Sequence, residues 1–585
     1  MKKSFTKRIM LWTALAILLS CSVSLAEDGY EFWLRYHKIS DQGILKEYRQ
    51  LCKDIIITEN TPILDSARQE LVRGLSGLLV QKPNICSDVS RTGSIIVGTL
   101  QKSKVIGAVI APADGRKLKP DGFLIRSAKI DDKSCTIITG NSDRAVLYGV
   151  FGFLRLLQTH QSIENLDIID NPVNPLRMVN HWDNPNGSSG LWSGSIERGY
   201  AGNTIFHWGK LPELEPRYKD YARMLASVGI NGCVINNVNT AKHNLTGWKL
   251  LTSGYMEKMA AMAGVFRRYG VKFYVSINFA SPIIIDKLET ADPLDPAAKK
   301  WWADKADEIY THIPDFGGFL IKADSEGEAG PHGYGRTHAD GANILAEALK
   351  PHGGLLIWRA FVYGKKNVDR AKEALDNFHP LNRQFADNVI IQIKNGPMDF
   401  QVREPVSPLF GQMPNTNLML ELQVTQEYTG HTIHLCYLVP QWKEVLDFDT
   451  YAKGPGSTVK KILSGSLFGY KHSGITGVAN IGDDRNWTSH HLGQANTYGF
   501  GRLVWNPDLS AEQITNEWVK MTFGHAPVVV KTISKMLLDS WRIYENYTSP
   551  LGVGFMCETG PHYNPDHGSA KLRQNRDSAH LRQPF

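Results

Sequence analysis

Eight short apolar runs within residues 178–480 constrain the fold more than any other feature of this 585-residue chain. Each run is apolar at nearly every position, which is typical of a strand that is covered on both faces, as in a parallel sheet. The runs lie at residues 178–182, 233–237, 273–279, 319–323, 355–361, 389–394, 418–425 and 475–480.

Segments with the apolar spacing of amphipathic helices separate several of these runs, at residues 215–227, 255–269, 296–312, 339–350 and 367–377. Eight strands that alternate with helices predict an α/β fold, a (β/α)8 TIM barrel, over residues 173–508. Such a barrel carries its functional side chains at the C-terminal ends of its strands.

Two further regions flank the predicted barrel. Residues 27–172 predict an N-terminal α/β domain with a supporting role, with helices at 66–80 and 143–159 and strands at 93–100, 122–128 and 134–139. Helices are predicted at 510–523 and 527–547, within a C-terminal helical region at 509–566. Residues 567–585 are polar, basic and without periodicity, so we expect a disordered or aberrant tail that does not join the core.

Residues 1–26 have the pattern of an export signal, with a basic start, an apolar run at 9–19 and a small-x-small site at 24–26. The apolar run is too short to span a bilayer as a helix. We therefore expect an exported protein, periplasmic or extracellular. A lipoprotein signal with a lipid anchor at Cys21 is the alternative.

The net charge of +7 comes from the two ends of the chain. Residues 1–26 contribute +4 and residues 567–585 contribute +3, so the body between them is about neutral. This distribution argues against nucleic acid or an anionic membrane surface as a partner.

Cofactor and metal motifs are not evident in the sequence. The six cysteines after residue 26 are scattered without a CxxC spacing, which argues against a zinc site and favours buried free thiols. There is no phosphate-binding loop and no strand–GxGxxG–helix unit. We interpret His181, His490 and His491 as structural, and we expect neither a cofactor nor a metal ion.

Charged and aromatic side chains gather at the predicted strand ends. Carboxylates follow the fourth, sixth and seventh strands, cations lie close to them, and a tryptophan ends the first. Paired carboxylates suit glycosidic bond cleavage, cations suit an anionic sugar, and aromatic faces suit sugar stacking. If the fourth strand stays regular, Lys322, Asp324 and Glu326 share one face. The candidates are Glu326, Asp399, Glu427, Lys322, Arg359, Lys394 and Trp182.

Each candidate also has an ordinary structural interpretation. A carboxylate at a strand end is often a helix cap or an ion-pair partner. Lys322 could simply neutralise Glu326, and Trp182 could belong to the core.

Several stretches around these residues are distinctive when taken together. They are Asn-His-Trp-Asp-Asn at 180–184, the segments 196–202 and 322–331, Lys-Asn-Gly-Pro-Met-Asp-Phe-Gln at 394–401, the segment 421–428, and 477–482 with 484–487. In these stretches the chain resembles the α-glucuronidases of glycoside hydrolase family 67. The resemblance extends from the N-terminal domain to about residue 566.

The resemblance implies removal of 4-O-methylglucuronic acid, α-1,2-linked to the terminal xylose of short xylan fragments, with inversion at the anomeric carbon. Glu326 matches the family's general acid. Asp399 and Glu427 match the two carboxylates that activate water. Lys322, Arg359 and Lys394 match residues that hold the uronic acid, and Trp182 matches a stacking residue of the sugar pocket.

One departure and two rivals accompany this resemblance. After residue 566 the family continues with a helical stretch that helps dimerisation, whereas residues 567–585 differ from it, so we expect a truncated or frameshifted end that puts a homodimer in doubt. One rival is a retaining barrel glycosidase with Glu326 as acid and Glu427 as nucleophile. The other is a non-catalytic protein that only binds acidic xylan fragments.

Overall fold

The computed structural model describes residues 27–183, 201–209, 211–238, 249–361, 369–431 and 433–548. The signal-like segment, the lipid-anchor candidate Cys21 and the tail from residue 567 lie outside the described residues.

The N-terminal domain is built on one mixed six-stranded sheet with the order β2-β1-β3-β5-β4-β6. Its strands are β1 Asp54–Ile56, β2 Asn84–Cys86, β3 Ser94–Thr99, β4 Phe123–Ile130, β5 Lys133–Gly140 and β6 Asp167–Asp170. Its helices are Gln42–Leu51, Pro62–Leu79, Lys104–Val109, Pro112–Gly115 and Asp143–Gln158. The predicted strands and helices of this region are present. The short β1, β2 and β6 were missed because they are too brief to show a period.

Eight parallel strands close into a barrel in chain order. They are β7 Leu176–His181, β8 Gly232–Ile235, β9 Lys272–Ser276, β10 Gly318–Ile321, β11 Leu355–Arg359, β12 Val389–Lys394, β13 Asn417–Gln423 and β14 Gly474–Ala479. Pairing of β14 with β7 along all six residues of each closes the barrel. The predicted (β/α)8 fold is confirmed, and each predicted strand overlaps an observed one.

Helices cover the barrel and extend beyond it. Those of the barrel region are Leu211–Ser227, Ser253–Arg267, Ser281–Asp286, Pro296–His312, His338–Leu349, Arg370–Phe378, Val439–Asp447, Val459–Leu463 and Gln494–Trp505. Two further helices, Ala511–Phe523 and Pro527–Thr548, follow. Short 3₁₀ turns lie at Lys249–Leu251, Pro331–Tyr334, Lys350–His352, His379–Leu381 and His491–Gly493.

The alternation of side chains along the strands sorts the barrel interior into an apolar and a polar level. Met178, Leu320, Ile357, Ile390 and Met419 form part of one buried apolar cluster. Two residues further along the chain from each of these five, the same face carries a buried polar or charged side chain. These are Asn180 after Met178, Lys322 after Leu320, Arg359 after Ile357, Gln392 after Ile390 and Glu421 after Met419.

Buried ion pairs join the N-terminal domain to the barrel. Asp121 accepts from Arg177 of β7, with Nη2 2.6 Å from Oδ2, and from Arg144, with Nη2 2.6 Å from Oδ1. The Arg177 side chain is fully buried. Burial raises the pKa of Asp121, but the two guanidinium groups outweigh it and hold that pKa below its usual range. Glu70 and Arg223 form a second buried pair at 2.7 Å.

The described residues contain five free thiols, four of them buried, and Cys557 lies outside those residues. Within the same part of the chain, no helix has the length and apolarity that a membrane crossing needs.

The domain junction yields a stability prediction. We expect Asp121→Ala to lower the free energy of unfolding by about 3–5 kcal/mol in urea denaturation, because it leaves the buried Arg177 charge without its carboxylate. The folded pKa of Asp121 is lowered, so this stabilisation is present above the unfolded pKa of about 3.9 and is lost as the pH falls through the folded value. The difference from wild type should therefore shrink in acid.

Asp304→Ala is the matched control, since Asp304 pairs with Lys300 where both side chains are more than half exposed. It should change the free energy of unfolding by no more than about 0.5 kcal/mol. Equal effects of the two substitutions would contradict the role assigned to the junction.

Candidate active site

The chain turns sharply after β10 instead of continuing as a strand. Strand β10 ends at Ile321, and Asp324 and Glu326 have φ of +54° and +51°, in the left-handed region. The expectation that Lys322, Asp324 and Glu326 share one strand face is therefore wrong. The turn still allows Lys322 Nζ to donate a hydrogen bond to Glu326 Oε2. Asp324 instead lies beside His332 and His338.

Burial and the ion pair with Lys322 have opposite effects on the pKa of Glu326. Burial raises the pKa of Glu326, but the charge of Lys322 and its hydrogen bond outweigh burial and hold that pKa below its usual range. The negative charge of Asp399 raises the pKa of Glu326, so the two carboxylates are close enough to interact electrostatically. Glu326 is the more accessible partner, with its side chain 40% exposed against 1% for Lys322.

A second lysine–carboxylate pair lies after β12. Lys394 Nζ donates to the Met398 carbonyl and to Asp399 Oδ1, both at 2.7 Å. Tyr428 Oη donates to Asp399 Oδ2 at 2.8 Å. Burial raises the pKa of Asp399, but Lys394 and Tyr428 help to lower it to about 2, and burial lowers the pKa of Lys394 to about 8. Asp399 is therefore an ionised carboxylate at neutral pH.

Glu404 shapes the turn that carries Asp399. Its carboxylate accepts the backbone N–H groups of Met398, Asp399 and Gln401 at 2.7, 2.9 and 2.6 Å. These three bonds fix the turn and so the direction of the Asp399 side chain. Glu404 was not among the candidates from the sequence, because a single acidic residue in a loop gives no sign that it will bind nearby backbone N–H groups.

Arg359, at the end of β11, is buried, and only some of its N–H donors have hydrogen-bond partners among the described residues. Its Nε lies 2.8 and 3.1 Å from the two oxygens of Glu421, which is also buried. Its Nη2 is buried and has no hydrogen-bond partner among the described residues, as is also the case for Trp182 Nε1. The guanidinium carbon lies 5.2 Å from the centroid of the Trp182 ring. Because buried donors are usually paired, both groups are suited to an acceptor on a bound solute.

The side chains of Lys322, Arg359 and Lys394 all lie close to the ring of Phe361. Lys394 Nζ, Arg359 Cζ and Lys322 Nζ lie 3.2, 4.8 and 5.1 Å from the centroid of its ring. A ring face attracts cations, more strongly where water is excluded. Phe361 was predicted only as the end of an apolar strand, since an apolar residue in an apolar run gives no sign that its ring will contact cations.

Glu427 completes the set of carboxylates beyond β13. It is buried, and Gln423 Nε2 donates to its Oε2 at 3.0 Å. Its neighbour Tyr428 binds Asp399, which ties this loop to the one after β12. All seven candidates from the sequence thus lie on strands β7, β10, β11, β12 and β13 or just after them. Of the other stretches used in the sequence comparison, Asn184 and residues 196–200 lie outside the described residues.

His181 belongs to the packing of the barrel. It is fully buried, its Nδ1 lies 3.0 Å from Tyr221 Oη, and burial lowers its pKa to about 3. It is therefore a neutral core residue, as interpreted from the sequence.

Family models match this chain in three consecutive parts. The N-terminal model of glycosyl hydrolase family 67 matches residues 32–153, the middle domain matches 156–487 and the C-terminal model matches 488–581. The chain belongs to glycosyl hydrolase family 67. The last match overlaps the tail from residue 567, whose lack of packing stays a prediction.

Curated relatives support the family 67 assignment. "Alpha-glucuronidase A" of Emericella nidulans is 41% identical over 562 residues, which are 93% of this chain and 64% of the relative. "Alpha-glucuronidase" of Hypocrea jecorina is 41% identical over 564 residues, with 93% and 64% covered. The chain thus spans slightly less than two thirds of the length of these relatives.

The solved structure of a "GH138 enzyme targeting pectin rhamnogalacturonan II" shares the fold. It aligns with a TM-score of 0.53 and 13% identity, over 86% of this chain and 56% of the other.

The Glu326 environment yields a prediction that is independent of activity. Lys322→Met removes the charge and the hydrogen bond that lower the pKa of Glu326, so burial should then raise that pKa above its ordinary value of about 4.3. Carbon-13 NMR titration of glutamate-labelled protein would measure it, with Glu326→Gln to assign the resonance.

Lys300→Met, which removes an exposed partner of Asp304, serves as the control and should leave the Glu326 titration unchanged. A Glu326 pKa that stays low in Lys322→Met would show that another group sets it.

Proposed function

We propose that this chain is an inverting glycoside hydrolase that releases (4-O-methyl)-D-glucuronic acid from xylo-oligosaccharides in which it is α-1,2-linked to the terminal xylose. The observation that carries the proposal is the buried guanidinium of Arg359. Its Nη2 has no hydrogen-bond partner among the described residues and can donate to an anion, and Lys322 and Lys394 lie around the same Phe361 ring. A sugar with a carboxylate provides the complementary charge. The names of the relatives, α-glucuronidases, support the same substrate class.

In this proposal Glu326 is the general acid that protonates the leaving oxygen. Asp399 and Glu427 act on the water, one by taking its proton and the other by orienting it. The lowered pKa of Asp399 supports its part, because a base has to be ionised at the working pH. Inversion gives both carboxylates a task, whereas a retaining mechanism leaves Asp399 without one.

Lys322, Arg359 and Lys394 bind the uronic acid, and Trp182 stacks on the sugar. Trp182 is suited to stacking because the face of its ring offers apolar surface to a sugar, and its Nε1, which has no partner among the described residues, is suited to donate to a sugar oxygen. No metal ion or organic cofactor enters this reaction scheme.

The expected setting of the reaction is also a proposal. Because residues 1–26 resemble an export signal, we propose that the enzyme acts outside the cytoplasm, in the periplasm or extracellularly. A lipid anchor at Cys21 is the alternative. Aldouronic acids are the proposed small-molecule partners.

The first prediction for this function concerns Arg359. We expect Arg359→Ala to lower kcat/KM on an aldouronic acid by about 10- to 150-fold, because one buried charge-assisted contact is worth about 1.5–3 kcal/mol. Since Arg359 also neutralises Glu421, the substitution is repeated in a Glu421→Gln background, which separates substrate binding from an uncompensated buried charge.

Arg267→Ala is the control for this series, because Arg267 also binds a carboxylate, that of Asp315, but both side chains are about 40% exposed. It should leave kcat/KM unchanged. Equal wild-type activity on neutral α-glucosyl and on glucuronyl substrates would contradict the proposed role of the cations.

The second prediction concerns stereochemistry. An inverting enzyme fits a water between base and sugar, so we expect Glu326 to lie about 6.5–9.5 Å from Asp399 and from Glu427, against about 5–5.5 Å in a retaining enzyme. Proton NMR of the first-formed product should show β-glucuronic acid. Asp399→Asn should remove most of the activity. It should also lower the melting temperature, because it leaves the buried Lys394 charge without its carboxylate, and circular dichroism at the assay temperature checks that the variant is folded.

Two other outcomes would favour the rivals. The α-anomer as first product would make Glu427 a nucleophile. Binding of aldouronic acid without release of glucuronic acid would favour the non-catalytic xylan-binding protein.

A further inference from the structure

Three potential metal ligands lie together in the segment after β10. Asp324 belongs to the turn that follows the strand, His332 to the 3₁₀ turn Pro331–Tyr334, and His338 begins the helix His338–Leu349. Both Nδ1 atoms face one carboxylate oxygen, Asp324 Oδ2, at 3.6 Å from His332 and 3.8 Å from His338. One ligand atom from each residue lies within 4.8 Å of the others.

These distances are too long for hydrogen bonds and close to those between ligands of one ion. A side-chain contact at 3.6 Å is not a hydrogen bond. Zn²⁺ binds nitrogen and oxygen ligands at about 2.0–2.2 Å, which separates the ligand atoms of a tetrahedral site by about 3.3–3.5 Å. Shifts of a few tenths of an ångström would bring Asp324 Oδ2 to this separation from each imidazole Nδ1, and the ligand atoms of the two imidazoles already lie within 4.8 Å of each other.

The structure holds the three side chains in place. Asp324 is in the left-handed conformation and accepts the backbone N–H of His332 at 3.2 Å. Its carboxylate lies against Gly330, where an added Cβ would come within 2.3 Å of its carbon. The ring of His338 stacks on Phe378 at 4.6 Å between centroids and meets the edge of Trp358 at 5.9 Å. Such fixed ligands lower the cost of ordering a metal site.

The cluster of Asp324, His332 and His338 is accessible to solvent on the side of His332. The side chains of His338 and Asp324 are 1% and 11% exposed, whereas that of His332 is 39% exposed. An ion can enter past His332 and keep a water as its fourth ligand. Two imidazoles and one carboxylate match a borderline transition-metal ion such as Zn²⁺, while Ca²⁺ and Mg²⁺ prefer oxygen ligands.

We propose that Asp324, His332 and His338 bind one divalent transition-metal ion of the Zn²⁺ class, which braces the loop that carries Glu326. Asp324 and Glu326 are two residues apart in the same turn, and their side chains bind different partners. The ion would fix Asp324, and the ion pair with Lys322 fixes Glu326, so that both carboxylates of the turn are held. A metal site was not expected from the sequence, and His332 and His338, which show no recognised ligand spacing, become neighbours only through the turn.

Metal binding by the full chain, expressed without an affinity tag, tests the proposal. After dialysis against a chelator, the protein is titrated with Co²⁺ and then with Zn²⁺. We expect one Co²⁺ per chain, visible d–d absorption bands of a low-coordinate site, and their loss when Zn²⁺ displaces Co²⁺. His332→Ala and Asp324→Asn should each raise the Kd at least about tenfold.

His352→Ala is the matched control, because His352 is a histidine paired with an aspartate, Asp307, at 2.7 Å outside the cluster. It should leave the Kd unchanged. His332 is the best ligand to remove, since its side chain is the most exposed of the three and contributes least to packing, and circular dichroism checks that the variant is folded.

A second readout uses thermal melting. Zn²⁺ should raise the melting temperature of the wild type and of His352→Ala but not that of Asp324→Asn. No stoichiometric binding to the wild type, or binding that His332→Ala and Asp324→Asn leave intact, would overturn the proposal.

Discussion

Three cations buried at one end of a parallel barrel are the constraint on which the rest of the site depends. A buried ammonium or guanidinium is costly to desolvate and needs a carboxylate close to it. Lys322 has Glu326, Lys394 has Asp399 and Arg359 has Glu421. Two of the three carboxylates proposed for catalysis, Glu326 and Asp399, are therefore also counter-ions of proposed binding residues, so that charge stability and chemistry involve the same atoms.

The barrel explains why these groups meet at all. Parallel strands present all their C-terminal ends at one rim, and the two-residue period puts every second side chain inside. Short apolar runs with a charged residue at or after the end were enough to predict this arrangement. That is why Lys322, Arg359 and Lys394 could be chosen from the sequence as cations of one pocket.

What could not be predicted depends on backbone turns and on contacts between distant loops. The left-handed residues Asp324 and Glu326 separate two carboxylates that a regular strand would place on one face. Glu404 acts on backbone N–H groups, and Phe361 acts through the face of its ring, so neither carries a signal in residue type or spacing. His332 and His338 likewise become neighbours of Asp324 only when the loop folds back.

The pairing of Glu326 with Lys322 sets a requirement on the proposed mechanism. A general acid has to carry a proton at the working pH, yet Lys322 keeps the pKa of Glu326 low in the ligand-free site. Burial is the largest influence on that pKa and acts upwards, so weakening the lysine contact raises the pKa and shifts Glu326 towards the protonated form. A uronate that draws Lys322 towards its own carboxylate does this and also shields Glu326 from water. On the proposed function, the charge that selects the substrate is thus the same charge that prepares the acid, and a neutral sugar would leave Glu326 ionised.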